Sequence, residues 1–478
     1  MRRARRTTVL AVGFASLIAG IGFARLSYSS LAVGWILLCV PLVLAAFLTK
    51  LRWLPLACIV FAGFIFGWWR GGQTLYQVAD YETAFGEKIT IQVKADSDGA
   101  YDNKGQMIFD ASSVMVIEPE ERELIGRISV AGFGSNDIRR GDMVIAEGKL
   151  YPTRGGKQAR MSFAQMKVES RSNSVIEKLR RRFLANLRTN LPEPQASFGA
   201  GLLIGQTREL PQEYVDVLRI VGLSHIIAVS GYNLTILAEL FNKRVNKKSK
   251  FRGLVLSVLF IGVFVALAGT SASIARAAVV AILSVIAGFY GRKFKPVLLI
   301  LLVAGASAYL NPLNVWGDIG WYLSFMAFFG VLVLAPAMQK RLWKKSEPKL
   351  FAKIALESFS AQIMTLPFVL FIFGQLSVVS LASNLIVLPL IPLAMLLTAT
   401  AGIAGILPLA NVALLISWPA SLVLRAILDV SVLFAKVPHA SITTYLPLVG
   451  MLAFYAALIA IIIFLKKFRT NSTEVMVK

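Results

Sequence analysis

Long apolar stretches recur along most of this sequence, and they constrain its fold more than any other feature. Each is close to the length of about 20 residues that a helix needs to cross the hydrocarbon core of a membrane. Hydrophobic residues make up 56% of the chain and charged residues only 16%, a balance outside the range of soluble domains. We therefore predict a polytopic α-helical membrane protein with about 12 transmembrane segments. The predicted spans are residues 8–27, 30–49, 53–70, 222–242, 253–270, 273–290, 296–311, 318–338, 353–373, 380–406, 411–436 and 445–465.

Clusters of lysine and arginine between these stretches indicate the orientation. Cytoplasmic loops of membrane proteins carry an excess of these residues, and six clusters fall where alternate loops would face the cytoplasm. This arrangement predicts a multi-pass protein of the cytoplasmic (inner) membrane, with cytoplasmic N- and C-termini and with residues 72–170 outside. The clusters lie at residues 2–6, 50–52, 243–252, 292–295, 340–349 and 466–469.

Residues 72–170 differ from the rest of the chain because short runs of alternating apolar and polar residues replace the long apolar stretches. Five such runs, at 88–95, 107–117, 127–133, 142–151 and 159–168, are separated by turn sequences. About a hundred residues with five strands fit a small all-β barrel of the OB type, inserted into the membrane protein. The predicted organisation is residues 1–71 as N-terminal transmembrane helices, 72–170 as the extracytoplasmic OB-like barrel, 171–221 as amphipathic interfacial helices, and 222–478 as a second transmembrane domain.

OB barrels often bind single-stranded nucleic acid through aromatic rings that alternate with cations. The candidates for such a surface are Phe133, Tyr151 and Phe163 with Arg139, Arg140, Arg154, Lys157 and Arg160. Aromatic residues of a small barrel also form its core, and the segment holds 15 acidic residues against 12 lysines and arginines, which disfavours tight phosphate binding. A spacer or docking role for the barrel therefore stays open.

An amphipathic helix is expected after the barrel, near residues 174–190. Its apolar face is formed by Ile176, Leu179, Phe183 and Leu187, and basic residues occupy the rest of its surface. A helix of this kind lies in the membrane–water interface. Packing against the transmembrane helices, with the charges in water, is the alternative.

Polar side chains inside the apolar stretches are candidates for function, because burying them at bilayer depth is costly unless they meet a partner or water. The candidates for lining a polar path are His225, Ser230, Gly231, Asn233, Arg276, Asp318, Ser324 and Asn384. Asp318 is also suited to capping a helix N-terminus, and Arg276 and Asn384 to bonding between helices.

Several catalytic chemistries are disfavoured by what the sequence contains. With only two histidines, a multi-histidine metal centre is excluded. We expect no metal, no cofactor and no catalytic residue. The sequence has no GxxxxGK[ST] phosphate loop, so no built-in ATP motor is expected. A serine hydrolase centred on Ser230 stays possible by residue type, although His225 lies five positions away and would point elsewhere on a continuous helix.

One polar segment carries a family resemblance together with its neighbours. GLSHIIAVSGYNLTIL (222–237) follows GAGLLIGQTRELP (199–211) and precedes Arg276-Ala277, DIGWYLSFMAFFG (318–330) and TLPFVLFIFGQLSVVSLASNLIVLPL (365–390). This series resembles the transmembrane competence domain of ComEC-type proteins over about residues 195–405. The predicted exterior barrel resembles the OB-like domain that often precedes it.

The resemblance implies a non-enzymatic channel that carries single-stranded DNA across the cytoplasmic membrane during natural transformation. His225, Ser230, Gly231, Arg276, Asp318, Ser324 and Asn384 match motif positions, and Asn233 stands where many family members have a second histidine. Longer members also have a metallo-β-lactamase-like nuclease domain, whose HxHxDH motif is missing from this sequence.

Several partners follow from this interpretation. They are single-stranded DNA, membrane lipids, a cytoplasmic DNA translocase or single-strand binding protein, a separate nuclease and an extracytoplasmic DNA receptor. Two other functions stay open from the residues alone, namely a secondary transporter for a small anionic or lipid-linked substrate and the membrane serine hydrolase.

Overall fold

A computed structural model describes most of the chain, which forms two compact units. The first comprises Met1–Leu210, Ile226–Tyr322 and Pro392–Leu424, and the second Pro211–His225, Leu323–Ile391 and Arg425–Lys478. The described residues are 6–48, 54–101, 105–135, 137–153, 155–206, 209–227, 250–269, 272–291, 295–343, 348–405 and 410–474.

A closed β-barrel lies in the first unit, where the sequence predicts it. Its strands follow the order β1-β5-β6-β4-β3, and β3 pairs again with β1 to close the ring. All pairs are antiparallel except β4 with β6, so the five predicted strands form a closed, OB-like barrel. The strands are β1 (Lys88–Ala95), a two-residue β2 (Ala100–Tyr101) beside β3, β3 (Met107–Glu118), β4 (Arg122–Gly134), β5 (Met143–Pro152) and β6 (Ala159–Ser170).

Alternation along the strands builds the core of the barrel. In β1, Ile89, Ile91 and Val93 are buried while the residues between them face outward. Phe109 from β3 and Met161 from β6 are also fully buried. Each such side chain contributes about 1.5–3 kcal/mol when it is fully removed from water, so the alternating pattern specifies the register of the sheet.

The remaining regular structure is almost entirely helical, and the chain is a multi-pass membrane protein. Seven helices of the described residues are long and apolar enough to cross a membrane: Thr7–Ser27, Leu54–Glu82, Lys250–Ala268, Ile319–Leu342, Leu350–Phe373, Ser380–Ala404 and Asn411–Ala435. Five shorter apolar helices are Gly34–Ala45, Gln195–Ile204, Ser273–Phe289, Pro296–Leu310 and Leu448–Ile461. Most of the predicted span at 222–242 lies outside the described residues.

Several shorter helices and one small sheet complete the architecture. A two-stranded sheet, β7 (Gln375–Ser377) with β8 (Ser441–Thr443), lies in the second unit. The helices outside the apolar set are Val175–Asn190, Gln212–Ile220, Ser224–Ile227 and Leu313–Gly317.

Glycines bring the helices Arg6–Ser27 and Leu54–Glu82 into very close contact. A Cβ placed on Gly20 would lie 2.1 Å from the carbonyl oxygen of Phe64, and one on Gly67 would lie 2.1 Å from that of Leu17. Small residues at such positions allow helix backbones to approach within a membrane. The first and third predicted spans therefore form a glycine-packed helix pair.

The helix Val175–Asn190 lies where the amphipathic pattern predicts it, and it is anchored at both ends. Buried ion pairs join its first half to the barrel, including Arg180 with Asp98 at 2.5 Å. In its second half, Asn190 donates to the carbonyl of Ala401 at 3.3 Å. The helix is therefore held between the barrel and the helix Ile391–Ala404.

Hydropathy predicts one crossing at residues 380–406, and the structure has one long apolar helical segment there, Ser380–Ala404. A 3-10 turn at Leu388–Leu390 joins its two parts, the helices Ser380–Val387 and Ile391–Ala404.

Candidate functional site

Arg276 and Asp318, which are 42 positions apart in the sequence, are brought together in the first unit. Arg276 is only 4% exposed, and its Nη2 donates to the main-chain carbonyl of Gly320 at 3.3 Å. The Asp318 carboxylate interacts electrostatically with the guanidinium. Ala277 and Ala281, on the same helix, are also buried. The site thus holds one buried cation next to one carboxylate.

Asp318 has the helix-capping geometry that the sequence suggests. Its Oδ1 accepts a hydrogen bond from the main-chain N–H of Trp321 at 3.1 Å, at the start of the helix Ile319–Phe329. A carboxylate at this position satisfies a free N–H and opposes the positive end of the helix dipole. Asp318 therefore fixes the turn whose Gly320 carbonyl accepts from Arg276.

The loop between β5 and β6 of the barrel contacts this same turn. Asn311 donates from Nδ2 to the carbonyl of Gly156 at 2.9 Å. A Cβ built on Gly156 would lie 3.1 Å from Oδ2 of Asp318 and 3.2 Å from Oδ1 of Asn314. The backbone of the loop therefore touches the segment that carries Asp318, so the barrel is docked beside Arg276.

Two further arginines, which the sequence analysis did not single out, contact the same 309–321 segment. Arg70 donates from Nε to the carbonyl of Tyr309 at 2.9 Å, and its Cζ lies 5.6 Å from the centre of that ring. Arg25 lies 5.6 Å from the centre of the Trp316 ring. Both stand near the ends of predicted N-terminal spans, where arginine is usually interpreted as an orientation signal. Only the packing of the structure shows that Arg25 and Arg70 both contact the 309–321 segment.

His225 and Asn384 lie in the second unit, on segments that pack together. Ser383 donates to the carbonyl of Val221 at 2.8 Å, which joins the helix of Asn384 to the turn before His225. His225 is exposed, with Nδ1 3.1 Å from the carbonyl oxygen of Gly222. Asn384 is buried, and its Oδ1 has no hydrogen-bond partner among the described residues.

The remaining path candidates are placed only in part. Ser324 is half-buried on the helix Ile319–Phe329. Ser230, Gly231 and Asn233 lie outside the described residues. Within the part of the chain that the structure describes, no three histidine, cysteine, aspartate or glutamate residues are arranged to hold a metal ion.

Among the barrel candidates, Arg140 is taken up by contacts within the protein. Its guanidinium pairs with Glu177 at 2.6 Å and donates to the carbonyl of Ala266 at 2.8 Å. Both side chains of the pair are almost fully buried. The positive charge of Arg140 is therefore neutralised at the base of the barrel and does not face a ligand.

Two neighbouring charged residues, Asp98 and Arg139, also form contacts within the protein. Burial alone would raise the pKa of Asp98, but hydrogen bonds and charge from Arg180 and Arg140 outweigh it and hold this pKa below its ordinary value. Arg139 pairs at 2.7 Å with Asp137, and both are partly exposed. Its hydrogen bond to Asp137 raises the pKa of Arg139. These residues serve docking and local pairing better than phosphate binding.

Three other barrel candidates are exposed on the strands. Tyr151 and Arg160 are direct cross-strand neighbours on β5 and β6, and Phe133 is exposed at the end of β4. None of the three belongs to the buried core. Lys157 is half-buried and pairs with Asp110 at 2.5 Å, while Arg154 lies outside the described residues.

Comparison with known proteins gives a direct match over the helical part of the chain. Residues 202–469, more than half of the sequence, match the family model described as "Competence protein". The chain belongs to this competence protein family. It is also 25% identical over 271 residues to ComE operon protein 3 of Bacillus subtilis (strain 168), which covers 55% of this chain and 34% of that protein.

The matched region contains some of the residues described above and not others. Residues 202–469 include His225, Arg276, Asp318 and Asn384, whereas the barrel, Arg25 and Arg70 precede it. The chain spans about a third of the length of the Bacillus subtilis relative. No solved structure matches this chain.

Proposed function

We propose that this competence family protein carries one strand of DNA across the cytoplasmic membrane during natural transformation. The observation that supports it most is the buried Arg276 beside Asp318, at the segment on which the exterior barrel is docked. DNA is a polyanion and cannot enter hydrocarbon. A path for it needs donors and a few cations that bind phosphates weakly enough to release them.

The electrostatic interaction of the Arg276 guanidinium with the Asp318 carboxylate suits that requirement. A lone buried guanidinium would hold a phosphate tightly, whereas a neighbouring carboxylate lowers the local positive potential and favours release. The sequence also predicts neutral path groups, which are His225, Asn384 and Ser324 in the second unit and Ser230, Gly231 and Asn233 outside the described residues. Arg25 and Arg70 add positive charge around the 309–321 segment.

Transport in this direction needs work from elsewhere. An inside-negative potential opposes each entering negative charge by about 2.3 kcal/mol per 100 mV, and the sequence contains no phosphate loop of the GxxxxGK[ST] type. We therefore propose a cytoplasmic translocase or single-strand binding protein as a partner. A separate nuclease and an extracytoplasmic DNA receptor complete the proposed pathway.

Labelled DNA tests the proposal directly. A strain that lacks the gene is given duplex DNA labelled on one strand, and label protected inside the cytoplasm is compared with the parent strain and with the complemented strain. Loss of protected label in the deletion strain, restored by complementation, is expected. Undiminished entry of label without this protein would overturn the proposed function.

A further inference from the structure

Charge is divided unevenly over the surface of the barrel, although its segment is slightly acidic as a whole. The hairpin of β5 and β6, residues 143–170, contains five lysines and arginines and two acidic residues, Glu147 and Glu169. Glu147 pairs with Lys88. The turn between β3 and β4 instead carries the acidic run EPEERE at 118–123. An anionic ligand is therefore attracted to the hairpin and repelled from the opposite turn.

Cations on the outer face of this hairpin remain available to a ligand. Lys149 and Lys167 are exposed, and neither forms an ion pair with any residue that the structure describes. Arg160 is also exposed and donates only to Ser162 of its own strand among the described residues, at 2.8 Å. Two other cations of the barrel are paired: Lys157, in the loop between β5 and β6, with Asp110 on β3, and Arg127, on β4, with Asp96 just after β1.

One aromatic ring stands out among these cations. Phe163 is 66% exposed, and its backbone has a positive φ of 55°. Positive φ is uncommon for any residue other than glycine and is an outlier for a bulky one. Such strain persists where the surrounding structure enforces it, often at binding sites.

A β-bulge causes the unusual position of Phe163. Glu147 opposes Gln165 and Lys149 opposes Ser162, so that Gly148 faces two residues of β6. The pairing of β6 with β4 shifts at the same place. An extra residue in a strand redirects a side chain, and here it turns a large apolar ring into water between Lys149 and Lys167.

We propose that the outer face of the β5–β6 hairpin is a binding surface for single-stranded DNA, with Phe163 as its base-stacking ring. Lys149, Arg160 and Lys167 contact the sugar–phosphate backbone, while Tyr151 extends the row of rings towards the loop at Gly156. That loop is docked at Asn311 and Asp318, so the surface leads towards Arg276. The inference rests on the proposed function and names the part of the barrel that receives the strand.

Binding to the full-length protein in detergent tests this surface independently of transport. The measurement is the fluorescence anisotropy of a labelled thymidine oligonucleotide, with an abasic oligonucleotide of equal length as a second probe. Stacking on an aromatic ring is worth about 1–3 kcal/mol per base, so Phe163→Ala is expected to weaken thymidine binding about tenfold. It should leave abasic binding unchanged, and Phe163→Tyr should keep the parent affinity.

Control variants separate the loss of base stacking from unfolding of the protein and from the loss of positive charge. Phe163 is exposed, and alanine has the same difficulty with positive φ, so the variant keeps the backbone strain of the parent. Tyr101→Ala removes another exposed ring, on β2, and should not change binding. Lys149→Gln with Lys167→Gln should reduce the slope of log affinity against log salt by about 1.4, or roughly 0.7 for each phosphate contact to a single strand.

The outcomes distinguish this inference from the proposed function. If Phe163→Ala binds thymidine oligonucleotides as the parent does, or weakens abasic binding equally, the stacking surface is wrong even when labelled DNA still enters cells. The stacking surface is also wrong if binding depends on added anionic lipid and not on the bases of the oligonucleotide. If deletion of the gene leaves DNA entry intact, the transport proposal fails, whatever the oligonucleotide measurements show.

Discussion

The side-chain amide of Asn311 donates a 2.9 Å hydrogen bond to the main-chain carbonyl of Gly156. This contact joins the end of an apolar helix to a loop of the barrel. Asp318 lies beside the same glycine and interacts with Arg276. Three parts of the chain that are far apart in sequence therefore meet at one place, and the predictions below test that arrangement.

Removing the charge of Arg276 should reduce DNA entry more than it reduces protein level. We expect Arg276→Gln to lower protected label about tenfold, which corresponds to about 1.4 kcal/mol, because the proposed path loses its buried cation. Arg425→Gln is the control, since Arg425 pairs with Asp429 and is largely exposed. Equal entry for the two variants at equal membrane content would contradict a path through Arg276.

Loss of the Asn311 contact should loosen the loop of the barrel. Trypsin cleaves after lysine, and Lys157 lies directly beside Gly156 in the sequence. We expect Asn311→Ala to increase the rate of cleavage after Lys157 severalfold, since a net hydrogen bond contributes about 0.5–1.5 kcal/mol. Asn190→Ala, which removes the bond to Ala401, should not affect this site. An unchanged cleavage rate would show that the loop is held by other contacts.

The buried pair of Asp98 and Arg180 should carry much of the docking of the barrel. Breaking a buried ion pair by removing one partner costs about 3–5 kcal/mol, so Asp98→Asn should lower the thermal unfolding temperature clearly. Asp137→Asn disrupts a partly exposed pair with Arg139 and should cost at most about 1 kcal/mol. Similar losses for both variants would contradict this assignment.

The same pair sets a dependence on pH. The folded-state pKa of Asp98 is held below its ordinary value, which is about 3.9 in an unfolded chain. Its stabilising contribution is therefore complete above that ordinary value and is lost as the pH falls through the lower folded-state pKa. Thermal unfolding from pH 7 to pH 3 should show the parent losing stability at the acidic end, and the difference between parent and Asp98→Asn should shrink there.

Gly222 of the competence motif should not tolerate a side chain. Its φ is +76°, and a Cβ would lie 2.5 Å from Cβ of Ser380. Gly291 has a similar φ of +63°, with open space where its Cβ would be. Gly291→Ala should therefore cost only the backbone strain, about 1 kcal/mol, while Gly222→Ala also forces Ser380 to move. Comparable membrane levels and DNA entry for both variants would show that this packing is unimportant.

Strong periodic patterns allowed much of the fold to be predicted. Five strands and a series of apolar helices follow from the alternation and length of hydrophobic runs, because burial determines both. The 3-10 turn at Leu388–Leu390 was not predicted, since hydropathy averages over a short turn that is itself apolar.

Individual side chains were harder to assign, because their partners are distant in sequence. Arg140 resembles a ligand-binding arginine until Glu177 and Ala266 are seen around it. Arg276 and Asp318 were both chosen for their polarity in apolar surroundings, but only the fold shows that they meet. Phe163 was a candidate ring, and the bulge that exposes it has no sequence signal beyond Gly148 on the facing strand.

The glycine-packed pair of helices has a consequence for how the protein is made. Arg6–Ser27 and Leu54–Glu82 leave the ribosome before the barrel and before the competence region, and N-terminal parts of a chain fold first during synthesis. With backbones touching at Gly20 and Gly67, the two helices have a complete interface that requires nothing downstream. We therefore expect these two helices to associate in the bilayer while the barrel and the competence region are still being made.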